Sequence, residues 1–312
     1  MERAMKVMQW LATVVLVLAG VMLLVQPLTA HAQAAAATAG SQTAGPTRFT
    51  VVDEGTVGKP DVVLIPGMST SRGVWDAEAK LLAPNYRLHL VQVNGFAGAP
   101  AGVNATGPIL PGIVDELHGY IAAAGIHPVV VGHSLGGLLA LMLADKYPGD
   151  LRKMVIVDTL PYYAVLFNPD ATVETMKPVA EQIRQQMIAM PQAQYEGMLP
   201  TMVGQMVNDP AGQAKVLEWT KATDRTVAFE AVDEDLLTDM RGEVGKIQTP
   251  TLVLFAVEPD AKQPDPVAYE AAVRDGYKPM PHVTLAKVAP SRHFIMYDQP
   301  AKFDAALEGF LQ

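Results

Sequence analysis

The chain has 312 residues, half of them hydrophobic and 18% charged, which excludes global disorder and leaves room for one large α/β domain with an insertion. Its 23 Lys and Arg stand against 32 Asp and Glu for a formal net charge of −9, without any basic run, so nucleic acid is not an expected partner. There is no cysteine, and disulfides, thiolate catalysis and Cys-ligated metal sites are thereby ruled out.

Arg3 and Lys6 precede an apolar run over 7–25, and Pro27 then leads to Ala30-His31-Ala32. That order is the one of a secretory signal peptide, 1–32, cleaved after Ala32, and it implies export to the periplasm or beyond the cell. A membrane anchor formed by 7–25 is the alternative. Residues 33–47 are Ala, Thr, Gly, Ser, Gln and a single Pro without apolar periodicity, and read as a flexible leader.

From Arg48 onward, short apolar runs alternate with helical patterns: RFTVVDEG, DVVLIPG, YRLHLVQVNG, HPVVVGHS and LRKMVIVD. Continuous Val, Ile and Leu runs bounded by Gly and Pro suit strands buried on both faces, and helices between them (109–124 and 135–147) make a parallel sheet the expected solution. Over 159–243 the alternation stops and helical periodicity takes over, in segments 173–190, 192–207, 211–222 and 225–240. Strand character resumes in TPTLVLFAVEPD and again over 282–289, with helices over 266–274 and 300–310. The expected organisation is therefore a core of 48–158 and 244–312, with 159–243 as a helical cap over one end of the sheet.

The run Gly132-His133-Ser134-Leu135-Gly136 fits G-x-S-x-G between a buried strand and a helix. A serine in a sharp strand-to-helix turn is forced into a strained backbone, and glycines two residues to either side let neighbouring chain approach. Its hydroxyl then stands at a helix N-terminus, where a developing anion is favoured. A plain helix N-cap would need neither glycine.

This elbow, the earlier LIPGMSTSRGVWD and the late SRHFIMYDQP, in that order, resemble the α/β-hydrolase fold family over residues 48–312. The resemblance implies an α/β fold: a mostly parallel, doubly wound sheet of the α/β-hydrolase type with a helical cap inserted after the sixth strand. A serine hydroxyl needs a base, and the base an orienting carboxylate. Of seven histidines, the resemblance points to His293, in the loop after the last strand. For the acid, the loop after the strand over 251–255 offers Glu258 and Asp260; the resemblance, in which a proline follows soon after the acid, favours Asp260 with its Pro264, and Glu258 is the alternative. Asp158, at the end of the preceding strand, is a third candidate.

The resemblance places the oxyanion hole at the backbone N–H groups of Met68 and Leu135, with Gly67 letting the first turn inward. His133 is expected to point away from the serine and to pack around the elbow, while His89, His118, His127 and His282 share no metal-ligand spacing and read as structural. Phe96, in the glycine-rich NGFAG, is a candidate for the substrate pocket, as are Trp75 and Asn94 less strongly. The cap holds Met176, Met187, Met190, Met198, Met202, Met206 and Met240 of the 16 methionines, which read as core, with an adaptable apolar substrate lining as the sharper alternative. The expected activity is hydrolysis of a small-molecule carboxylic ester through an acyl-enzyme, without metal or cofactor. Lactonase, amidase, perhydrolase and carbon–carbon bond hydrolase activities share the same triad, and a non-catalytic binder is the alternative of another class.

Overall fold

The buried apolar runs of the sequence form the centre of a seven-stranded sheet in a computed structural model that describes residues 45–259 and 265–312. The expected signal peptide, its cleavage site and the alternative anchor lie outside the described residues. Thr47, the last residue of the expected leader, is tied to the body, where its N–H and hydroxyl donate to the Glu116 carboxylate at 2.8 and 2.6 Å.

The strands are β1 (Phe49–Gly55), β2 (Asp61–Ile65), β3 (Arg87–Val93), β4 (Val129–His133), β5 (Lys153–Val157), β6 (Thr251–Ala256) and β7 (Val283–Val288). They lie in the order β1-β3-β2-β4-β5-β6-β7, with β1 antiparallel to β3 and every other pairing parallel. Burial follows position in the sheet: every residue of the central β4 and of β6 is buried, whereas the edge strands β1 and β7 each expose part of their length. This is why β2, β4, β5 and β6 are mostly runs of Val, Leu and Ile and the edges carry Asp, Glu, Thr and Lys, while the inner β3 also buries His89 and Gln92.

Helices cover both faces. They are α1 (Asp76–Leu82), α2 (Leu110–Ala124), α3 (Leu135–Lys146), the block α4 (Val173–Ala189), α5 (Gln192–Met206), α6 (Pro210–Ala222) and α7 (Arg225–Leu237), then α8 (Pro266–Tyr277), α9 (Ile295–Asp298) and α10 (Pro300–Leu311). Alternate strand residues divide between two cores. Val63, Ile65 and Val130 pack with Ile113, Leu117, Leu139, Leu143 and Tyr277, while Val62, Leu64 and Val131 pack with Trp75, Leu82, Phe303 and Leu307. The period-2 alternation of side chains along a strand produces this division.

The four helices α4 to α7 fall between β5 and β6. In chain order they follow the fifth described strand where a sixth is expected, because β1 alone precedes the parallel series. A core of their own joins Tyr162, Met176, Ala180 and Leu236. The block is anchored to the sheet body through α7: the Glu234 carboxylate accepts the N–H groups of Ile109 and Leu110 at 2.6 and 2.7 Å, taking up orphan donors at the start of α2. Four of the block's methionines, Met176, Met187, Met190 and Met240, are buried, while Met202 is exposed. Among the described residues no helix is long and apolar enough to cross a membrane.

Candidate active site

Strand β4 ends at His133 and α3 begins at Leu135, so one residue makes the whole turn. That residue, Ser134, has φ 53° and ψ −121°, a left-handed conformation that costs a side-chain-bearing residue on the order of 1–3 kcal/mol. The flanking glycines are required by space: a Cβ on Gly132 would lie 2.2 Å from the Gly136 carbonyl oxygen, and one on Gly136 would lie 2.4 Å from that of Ile65. The turn is held by its backbone, with Ser134 N–H donating to the Val157 carbonyl at 2.9 Å and the Thr159 hydroxyl donating to the Ser134 carbonyl at 2.7 Å. The Ser134 side chain makes no capping hydrogen bond to α3. Its hydroxyl is left for something other than the helix.

The neighbouring strand supplies the next group. In the β4–β5 pairing His133 lies opposite Val157, so Ser134 and Asp158 leave the sheet side by side, both with φ 53°. Both therefore stand at the C-terminal edge of the parallel strands, where open α/β sheets bind their ligands. Asp158 accepts three hydrogen bonds: Oδ1 takes the Ala256 N–H at 2.7 Å and the Tyr269 hydroxyl at 2.8 Å, and Oδ2 takes His293 Nδ1 at 2.8 Å. Burial and the Asp158 charge hold the Tyr269 hydroxyl far above its ordinary pKa, so it remains a donor. Because a carboxylate accepts from Nδ1, the His293 Nε2 keeps a lone pair. It has no protein hydrogen-bond partner among the described residues.

The carboxylate on His293 is thus Asp158, and not the expected Asp260 or its alternative Glu258. Asp260 lies outside the described residues, and Glu258 Oε2 accepts from the Asn208 side chain at 2.6 Å. The physical reason is the loop between β7 and α9. Val257 N–H donates to the Val288 carbonyl and Ser291 N–H to the Val257 carbonyl, drawing the loop that carries His293 across the end of β6 toward β5. An acid ending β5 then meets the imidazole.

Met68 is half-buried in the loop after β2, and Leu135 is the first residue of α3. Neither backbone N–H donates to a protein acceptor among the described residues. Gly67 has a steric role here: a Cβ on it would lie 2.8 Å from His133 Nδ1 and 3.2 Å from the Ser134 Cβ. Phe96 is corrected by the structure. It is 0% exposed in the larger core, because the NGFAG loop closes on itself through an Ala99 N–H to Phe96 carbonyl bond and turns the ring inward. Trp75 also packs in the core, stacked on Phe303 with ring centroids 6.3 Å apart, and the Asn94 side chain donates to the Thr47 carbonyl.

His133 is fully buried, with its ring 4.6 Å from that of His293 and 4.7 Å from that of Phe294, centroid to centroid. His89 sits between the Asp61 carboxylate and the Tyr120 hydroxyl, and His118 between Asp150 and the Tyr147 ring. Among the described residues no cluster of His, Asp and Glu has the arrangement of a metal site.

One acidic group at the site escaped sequence reasoning. Asp235, on α7, makes no side-chain hydrogen bond among the described residues, and burial pushes its carboxyl up to about 7 while the nearby His293 pulls the other way. The exposed Tyr163 ring, at the start of the helical block, is close enough to feel the charges of both Asp235 and Asp158. In the sequence Asp235 is one carboxylate within the acidic run Val232-Asp233-Glu234-Asp235, and only the docking of α7 separates it from its neighbours.

A model described as the alpha/beta hydrolase family matches residues 62–306. A pimeloyl-[acyl-carrier protein] methyl ester esterase of Nitrosospira multiformis is 24% identical over 262 residues, 80% of this chain and 94% of that protein. A putative carbamate hydrolase of Pantoea ananatis is 34% identical over 98 residues, covering 31% of this chain and 35% of that protein. Similar solved structures include a thermophilic esterase from Thermogutta terrifontis, at TM-score 0.67 and 22% identity over 87% of this chain and 98% of that one. An enol-lactonase from Burkholderia xenovorans superposes with TM-score 0.67 at 16% identity, over 84% of this chain and 96% of that one.

Proposed function

The chain belongs to the alpha/beta hydrolase family, and from that premise we propose that it is a serine hydrolase of carboxylic esters, with Ser134 as nucleophile, His293 as base and Asp158 as the orienting acid. The observation that carries the reading is the 2.8 Å bond from His293 Nδ1 to Asp158, beside a serine held at positive φ with its hydroxyl uncommitted.

In the reaction the Ser134 Oγ adds to the ester carbonyl carbon as its proton passes to His293 Nε2. Asp158 faces the imidazolium that results and stabilises it without taking the proton. The tetrahedral oxyanion is received by the N–H groups of Met68 and Leu135, which have no competing protein acceptor among the described residues. His293 returns its proton to the leaving alkoxide, the alcohol departs, and water repeats the sequence on the acyl-enzyme to release the acid. The likeness to a methyl ester esterase favours a small leaving alcohol. We further propose that residues 1–32 direct export, which N-terminal sequencing of the native protein tests: a chain beginning at Gln33 is expected, and an intact Met1 overturns it.

The reaction itself is tested by exposing the folded protein to a fluorophosphonate and by assaying p-nitrophenyl esters of graded acyl length. A single adduct on Ser134 and ester turnover are expected. A folded protein that neither labels nor turns over any ester would leave a non-catalytic binder as the better reading.

A further inference from the structure

His133 adjoins the nucleophile in sequence, yet its ring is committed elsewhere. Its Nε2 lies 3.1 Å from the backbone carbonyl oxygen of His293. A carbonyl only accepts, so Nε2 carries the proton and Nδ1 a lone pair. The N–H of the same peptide unit, that of Phe294, donates to the Met206 carbonyl at 3.2 Å, the last residue of α5. The 293–294 peptide is thereby clamped at both ends, by β4 from below and by the helical block from above.

Packing alone does not account for a histidine here. Its Nδ1 is buried against the backbone of Gly67 without any hydrogen-bond partner among the described residues, and an orphaned buried polar atom is destabilising. An apolar side chain of similar volume would avoid that penalty, so the Nε2–H contact is the feature that distinguishes histidine at this position. We infer that His133 is a positioning residue: through its Nε2–H it fixes the peptide of His293 and so sets where the His293 imidazole stands relative to Ser134.

The remaining bonds of the loop agree with this role. Arg292 N–H donates to Asp298 and Ser291 N–H to the Val257 carbonyl, but neither reaches the carbonyl side of His293, where His133 supplies the only bond among the described residues. Burial, and then the charge of His293, hold the His133 imidazole well below its ordinary pKa. It therefore stays neutral when His293 takes up the serine proton, and the two facing rings do not share it.

The inference rests on the serine hydrolase reading, and its test separates the two. With p-nitrophenyl butyrate as probe, His133→Leu is expected to lower kcat about 10- to 100-fold while leaving KM within about 2-fold, since small misplacement of a catalytic group costs that much. Labelling by the fluorophosphonate should slow in parallel. His133→Gln, whose amide can donate from nearly the same place, should recover most of the loss. Imidazole 15N spectra of the wild type provide a readout that does not depend on any variant folding: His133 should show the Nε2–H form and not titrate between pH 5 and 9. Wild-type kcat in His133→Leu, a folded His133→Gln as impaired as the leucine variant, or a titrating or Nδ1-protonated His133 each overturns the positioning role and leaves the hydrolase reading intact. A wild type that fails to label or turn over ester overturns both.

Discussion

Asp158 and Glu78 are both carboxyl groups buried in the same body, and their surroundings treat them in opposite ways. Asp158 accepts a backbone N–H, a tyrosine hydroxyl and an imidazole N–H. Glu78, on α1 and 1% exposed, has an oxygen without any partner among the described residues, and burial pushes its carboxyl up to about 8. An oxygen of Asp304 is also buried and unpaired among the described residues, and the Asp304 and Asp76 charges raise the Glu78 carboxyl further. The contrast teaches that burial by itself does not make a carboxyl serve catalysis. Three convergent hydrogen-bond donors hold one and aim it at His293, whereas burial with one oxygen left unpartnered among the described residues pushes the pKa of the other up. Asp235 lies between these cases, unbonded but beside His293, with its carboxyl at about 7.

The largest effect that can break this comparison comes from the serine itself. Ser134→Ala should lower kcat/KM on p-nitrophenyl esters by about 10⁴-fold or more and abolish fluorophosphonate labelling. Asp158→Asn should follow, with a loss of about 10³- to 10⁴-fold from the wrong imidazole tautomer, whereas Glu258→Gln and Asp260→Asn should each stay within about 2-fold of wild type. A strong loss in Asp260→Asn with activity retained in Asp158→Asn would return the acid to the later loop.

A smaller effect is expected at Asp235. Its carboxyl is neutral below about pH 7 and charged above, so KM for an ester bearing an ammonium group should fall as pH rises through that range. The change should be about 5-fold, the size of a Coulomb interaction of roughly 1 kcal/mol, and Asp235→Asn should flatten the profile. Equal pH profiles in the two proteins would mean that the Asp235 charge does not reach the bound ester.

Glu78→Gln should leave activity nearly unchanged and act on stability alone. Glu78 ionises near 4.5 when unfolded and near 8 when folded, so between those values the folded state binds more protons. The wild type should therefore lose stability as pH rises from 5 to 8, by up to about 1.4 kcal/mol per pH unit, and the glutamine variant should lose less. Chemical denaturation at the two pH values measures the slope, and parallel curves for the two proteins would mean that Glu78 is charged in the native state.

Much of the fold was legible because the strands at the centre of the sheet are buried on both faces and so are written as apolar runs, as in Val129-Val130-Val131 and Leu252-Val253-Leu254-Phe255. The elbow was legible too, since glycines at 132 and 136 are demanded by local contacts within the turn and against β2. Phe96 and Asp158 were harder for one shared reason. An aromatic in a glycine-rich loop looks alike whether it faces a pocket or a core, and an acid at a strand end looks alike whether or not a histidine reaches it.

What the sequence by itself determined is the local chemistry: a sheet of buried strands, a serine forced into a tight turn, and a histidine late in the chain. Tertiary structure decided the partners. Strand pairing set Asp158 beside Ser134, the crossing of the β7–α9 loop gave His293 that acid, and the docking of α5 and α7 brought Met206 and Asp235 to the same edge. Hydrogen bonds and charge coupling act over a few ångströms, and residues more than a hundred positions apart come within that range only when the sheet order and the packing of helices on it are complete.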